Sequence, residues 1–413
     1  MAEGLVQLSA QAAPRIEPRD LPLLRGPVWM AMGFRPFFLA AALFGIGVTL
    51  YWVHAVTTGG NPGAGHLPPF LWHAHEMIFG YAFAVIAGFL LTAARNWTGQ
   101  NTAHGPALLG LVALWLLGRL AMAGVFGASR IVPGVLGVAF PLALGIAVAR
   151  PIFRTRSQRN YKVVAVVVLL ALAAAAVHFG DPGVQRGAIH GALHLVILLH
   201  VVVGGRVIPL FTRNRTGNQA IRNRPALDRA ALAAAFAVAL LAVPVALRPD
   251  HALAPALGAA AFLSGALQLV RMGTWGTRSA LRIPLLFVLH FGYAWIGIGQ
   301  ILYALAQWTG AIAESVALHA LTIGVIGTMT VGMMSRVTLG HTGRPIQDSV
   351  LTVAAFSAMA VAVFARMAAL VVPPARIPIT WMVSGTFFAL ALLLYLLLAW
   401  KPLTTPRPDG RPG

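Results

Sequence analysis

His190 and His194 stand four residues apart in IHGALH. On a helix they project from one face, about 40° apart, and can bind one ion or line one cavity. Imidazole suits that work, because its neutral form is a ligand for copper, zinc and haem iron. His73 and His75 in WHAHEM differ by about 200° on an ideal helix, so one can point into a bundle while the other meets a neighbouring site, a propionate or the interface. Glu76 follows directly. A carboxylate in the first turn of a helix is favoured by the backbone dipole, and it can equally orient a ligating imidazole or pass protons. The chain holds thirteen histidines, ten acidic residues and no cysteine. Disulfides, thiolate metal sites, iron–sulfur clusters and thioether-linked haem are therefore excluded. Any metal must be held by histidine, methionine, carboxylate or backbone.

The elements that position these residues are membrane helices. With 58% hydrophobic and 10% charged residues, the composition does not fit a soluble globular chain. Apolar blocks of roughly 20 residues, the length that crosses a bilayer, follow one another with short polar joints. They predict an all-α polytopic bundle of about twelve spans, at 32–55, 70–94, 105–124, 131–149, 162–179, 187–210, 228–247, 252–270, 283–308, 313–336, 349–372 and 378–400. No internal repeat or domain linker is evident. Residues 1–26 are expected to form a mobile cytoplasmic tail, 27–402 one transmembrane domain, and 403–413 a cytoplasmic C-terminal tail. The tail lacks the apolar core of a cleavable signal, so the first span doubles as the targeting signal.

A net charge of +20 could suit nucleic acid, but the basic residues follow loop parity instead. Of 30 Lys and Arg, 24 fall on the side shared by both termini and four, Arg130, Arg186, Arg248 and Arg376, on the other. The bias predicts cytoplasmic termini and no nucleic-acid partner. Arg119 and Arg366 lie within spans, where snorkelling to the head groups is the expectation. With this orientation His54, His73, His75, His178, His190, His194 and His319 all belong to the outer side. His200 is nearer the middle and His290 nearer the inner side. Taken singly, His54, His178 or His200 is expected to hydrogen-bond a neighbouring helix. The joint histidines His66, His104 and His251 are expected to be solvated, and His341 also lies in a joint. Gly204, Gly205 and Pro209 predict a loosened exit of the sixth span. Met329 and Met333 share a face and read as core packing rather than thioether copper ligands.

The segments GFRPFFLAAALF at 33–44, WHAHEMIFGYAFAVIAGFLLTAARNWTG at 72–99, GGRVIPLFTRN at 204–214, LHFGYAWIGIG at 289–299 and ALHALTIGVIGTMTVGMMSRVTLGHTGRP at 317–345 closely resemble the NnrS family of bacterial membrane proteins. The resemblance runs over nearly the whole chain. It implies haem b and copper as cofactors, and an association with nitric oxide, denitrification and relief of nitrosative stress at the inner membrane. Under it, His75, His190, His194 and His319 are expected to supply most metal ligands, with His73 next. His290 holds a second cofactor or bridges helices, and Arg186 either pairs with a haem propionate or faces lipid phosphate. At fold level the chain also resembles the catalytic subunit of haem-copper oxidases and nitric oxide reductases, which implies Glu76 as a proton donor and quinol or a periplasmic protein as electron donor. Two other readings stay open: a histidine-relay secondary transporter, and an accessory or assembly protein for denitrification enzymes.

Overall fold

The chain runs as twelve helices long and apolar enough to cross a bilayer, seen in a computed structural model that describes residues 27–60, 62, 66–127, 129–222, 224–248 and 252–410. They are α1 (Phe34–Thr58), α2 (Pro69–Thr98), α3 (Gly105–Met122), α4 (Ile131–Arg154), α5 (Gln158–Phe179), α6 (Pro182–Thr216), α7 (Pro225–Leu247), α8 (Ala254–Gly273), α9 (Pro284–Thr309), α10 (Glu314–His341), α11 (Val350–Leu370) and α12 (Pro374–Thr404). No strand occurs among the described residues. The protein is thus the all-α, multi-pass bundle that its apolar blocks predict. The tail at 1–26 and His251 lie outside the described residues.

Local chemistry sets the helix ends. Proline, whose missing N–H costs nothing in a first turn, opens α2, α6, α7 and α9. Gly59, Gly99, Gly217 and Gly310 take left-handed conformations that stop α1, α2, α6 and α9. Consecutive helices pack as antiparallel neighbours, and α1 packs against α12 to close the bundle. Buried Arg35 fastens that closure: its Nη1 donates to the carbonyls of Leu403 at 2.8 Å and Pro402 at 3.1 Å, where α12 ends with unpaired oxygens. Leu172, Leu240 and Leu397 are among the large apolar side chains turned outward, as lipid requires. The interior belongs to α2 and α10, whose apolar stretches are 89% and 72% buried.

Two features depart from expectation. Helix α6 does not loosen at Gly204, Gly205 and Pro209; it continues as one 35-residue helix to Thr216. The glycines serve packing instead. A Cβ on Gly205 would lie 2.1 Å from the Arg271 guanidinium, and one on Gly204 would lie 3.0 Å from the Tyr293 ring. Arg119 and Arg366 do not snorkel. They are 7% and 6% exposed and turn inward, where partners described below hold them.

Helices α2 and α10 also share an irregularity. Each passes through a π-helical segment, Glu76–Ala82 in α2 and Ala320–Gly327 in α10, that starts one residue after a histidine, His75 or His319. The wider turn re-aims side chains beyond it, and such segments frequently mark functional sites.

Candidate functional site: two groups of buried imidazoles

A cavity of about 550 Å³ lies among α1, α2, α6, α10, α11 and α12. Its wall is largely apolar, with Met77, Leu193, Ile323 and Phe388 contributing, and three imidazoles from three helices reach it: His73, His190 and His319. Arg186 and Arg366 line it too.

Each of these side chains is fixed by its surroundings. The His73 ring stacks on Trp52 at 4.4 Å, nearly parallel, and lies 6.3 Å from the His319 ring at a 13° interplanar angle. Its Nδ1 is buried without a hydrogen-bond partner. In His319 the Nδ1–H donates to the Ser315 carbonyl one turn back at 2.6 Å, which leaves Nε2 as the nitrogen with a free lone pair. The Arg366 guanidinium sits 3.3 Å from that Nδ1 and 5.6 Å over the Trp381 ring. The Trp381 indole N–H, also on the cavity wall, is buried without an acceptor. His190 Nδ1 lies 3.9 Å from a Glu314 carboxylate oxygen, linking α6 to α10.

The second group gathers beside the first histidine of α2. His75 is fully buried; its Nδ1–H donates to Glu76 Oε1 at 2.8 Å, and its Nε2 has no partner. Glu76 accepts a second hydrogen bond from Arg119 of α3, so carboxylate and guanidinium neutralise one another inside the bundle. The His178 ring of α5 stands edge-on to His75 at 4.8 Å and lies parallel to His66 at 5.6 Å. Neither ring nitrogen of His178 or of His66 has a partner. Gly137 of α4 makes the space, since a Cβ there would lie 2.7 Å from His178 Nε2. His66 is therefore not solvated as its joint position predicts, and burial holds it below its ordinary pKa of 6.5.

Five buried ring nitrogens without a partner in one small volume are unusual, because each left so costs about 1–3 kcal/mol. The rings nevertheless pack against one another, and among the described residues no three His, Cys, Asp or Glu side chains are set around an ion.

The structure separates several residues that spacing placed together. His194 does not reach the cavity with His190; it turns to α9, where its ring lies 5.3 Å from Tyr303 and neither nitrogen is bonded. His290 bonds through both nitrogens, to Thr212 at 2.9 Å and Thr277 at 3.0 Å, so it bridges helices and has no lone pair left for a cofactor. His200 donates from Nδ1 to the Val196 carbonyl of its own helix at 2.8 Å rather than to a neighbour. His54 is exposed. Buried Met329 packs near Gly204 and Gly292.

Trp52, Trp381, Arg366, His66 and His178 all belong to the two groups, although spacing did not single them out. What the two arginines share is a structural correspondence. A histidine on α2 or α10 precedes a π segment, and the following helix supplies an inward arginine, Arg119 or Arg366.

In comparisons with known proteins, the family model described as NnrS protein matches residues 28–407. No curated protein matches the chain.

Proposed function

The chain belongs to the NnrS family, and from that membership and the cavity geometry we propose that it is a haem- and copper-binding inner-membrane protein that binds nitric oxide and lessens nitrosative stress. The observation that carries the reading is the apolar cavity itself, with three imidazoles and two arginines on one wall system. Its volume, about 550 Å³, lies in the ordinary range for ligand sites, about 300–1,000 Å³.

In this reading haem b occupies the cavity. His73, His319 and His190 are the candidate iron ligands, Arg186 and Arg366 pair with the propionates, and the unpartnered Trp381 N–H is a further donor for a carboxylate. The bound group would supply an iron that takes up a small gas and exchanges electrons. The protein's share is to exclude water, orient His319 through the Ser315 carbonyl and set the charge around the propionates. Nitric oxide, small and neutral, partitions through apolar walls without a charged gate.

Copper draws on the second group. As packed, His75, His178 and His66 do not converge on one point, so copper would require their unpartnered nitrogens to turn toward it, with Glu76 fixing the His75 tautomer as carboxylates beside metal-binding imidazoles do. Because Glu76 is enclosed by His75 and Arg119, it acts here as a positioning residue. The bias of basic residues supports cytoplasmic termini, and with them a periplasmic position for both groups. Electrons for any reduction of nitric oxide come from quinol or a periplasmic donor.

The test is the absorption spectrum of detergent-purified protein. An intense haem band that shifts when nitric oxide is added under reducing conditions supports the reading. A colourless, iron-free protein overturns it.

A further inference from the structure

At the opposite, arginine-rich end of the bundle, a second cavity of about 480 Å³ opens among α5, α6, α7 and α8. Six cationic side chains line it: Arg159, Lys162, Arg206, Arg213, Arg229 and Arg271. They are arranged by depth. Arg159, Lys162 and Arg229 are exposed at the rim, Arg206 and Arg213 are partly buried, and Arg271 is buried at the base.

The one acidic lining residue, Asp228, is already engaged. It accepts from Arg271 Nε at 2.6 Å, while Arg271 Nη1 donates to the Val201 carbonyl at 3.2 Å and to Tyr293 Oη at 2.9 Å. Gly205 leaves the gap that the guanidinium fills. None of the other five cations is ion-paired among the described residues. Lys162, Arg206 and Arg159 feel one another's charge across the opening. Further bonds hold the wall in place: Arg206 Nη1 donates to Asn160 Oδ1 at 3.5 Å and Arg229 Nε to the Pro225 carbonyl at 3.3 Å. Like charges held around a partly desolvated hollow repel one another unless an anion enters. Basic pockets between membrane helices on the cytoplasmic side are where anionic head groups bind.

We propose that this cavity is a phosphate-binding site, separate from the imidazole groups, that takes the head group of an anionic phospholipid or a free phosphate through Arg159, Lys162, Arg206, Arg213 and Arg229. Its volume greatly exceeds that of one phosphate ion, which favours the lipid source.

The experiment compares the full-length protein with K162A/R206A and with the control R278A/R282A, whose arginines lie outside the cavity. In one arm, phosphatidylglycerol is titrated into phosphatidylcholine nanodiscs and bound lipid is counted by native mass spectrometry. In the other, inorganic phosphate is titrated in neutral detergent, with thermal stability as readout and chloride at matched ionic strength as reference. Each cation near a head group contributes about a factor of five, so K162A/R206A should weaken anionic-lipid binding about thirtyfold, with the control unchanged. Lys162→Arg, which keeps the charge, should retain binding. Stabilisation by inorganic phosphate alone, lost in K162A/R206A, supports the site and assigns its source to free phosphate. Equal binding by wild type and K162A/R206A in both arms, or chloride matching phosphate, overturns the proposal.

Discussion

Glu76→Gln removes one charge from a place where water cannot replace it. Glu76 is 1% exposed and Arg119 is 7% exposed. The carboxylate accepts from both His75 Nδ1 and Arg119 Nη1. Glutamine keeps the size, and its oxygen can keep both hydrogen bonds because both donors meet the same Oε1, but it leaves the guanidinium without a counter-charge. Breaking a buried ion pair by removing one partner costs about 3–5 kcal/mol, whereas replacing both partners by apolar groups of similar volume is often near neutral. At 1.4 kcal/mol per decade, the single change should shift the unfolding equilibrium by roughly two to three and a half decades. Glu76→Leu combined with Arg119→Met should recover most of that loss. Titrating each purified variant with denaturant in one detergent, with helicity followed by circular dichroism, gives both numbers. A Glu76→Gln cost below about 1 kcal/mol, within the range of an exposed pair, would refute the buried-pair reasoning. So would a double variant as unstable as the sum of the singles.

Gly137→Ala should press on His178, because the new Cβ would lie 2.7 Å from its Nε2; a chelator competition should show copper affinity falling about tenfold or more, and unchanged affinity would remove His178 from the donor set. His290→Ala should cost about 1–3 kcal/mol, since it leaves Thr212 and Thr277 without their shared partner, yet haem content should be untouched. Stability should also depend on pH through His66, whose pKa is lowered by burial below the ordinary 6.5. The unfolded chain takes up that proton first, so stability is complete above about pH 6.5 and declines as pH falls below it, by at most about 1.4 kcal/mol per pH unit, the limit for one proton. His66→Asn should flatten that slope in unfolding measured between pH 5 and 7.5, and an identical slope in the variant would assign the dependence to another group.

The twelve spans were legible because a run of about 20 apolar residues is a local property that needs no neighbour to be read. The order of histidines along those runs likewise placed His73, His190 and His319 near one end of the bundle, and they meet at one cavity. What could not be read was rotation about each helix axis. An angle of about 40° separates His190 from His194, and it is enough to send one to the cavity and the other to Tyr303. Spacing rules also assume the regular helix that the π segments at Glu76–Ala82 and Ala320–Gly327 abandon. Arg119 and Arg366 depart from the snorkelling expectation for a different reason. A cation near a span end can reach water or an inward partner equally well, and only the neighbouring helix decides which. His66 reads as solvated because it sits in a joint between spans, but its ring packs against that of His178.

If His73 and His319 hold haem at the cavity where they meet, haem bound per polypeptide will distinguish wild type and His194→Ala from His73→Ala and His319→Ala. Pyridine haemochrome absorbance against protein concentration gives it. Haem should be retained in the wild type and in His194→Ala, and lost or altered in its iron spectrum in His73→Ala and His319→Ala. Full haem with an unchanged spectrum in both cavity variants would contradict haem binding by these two histidines.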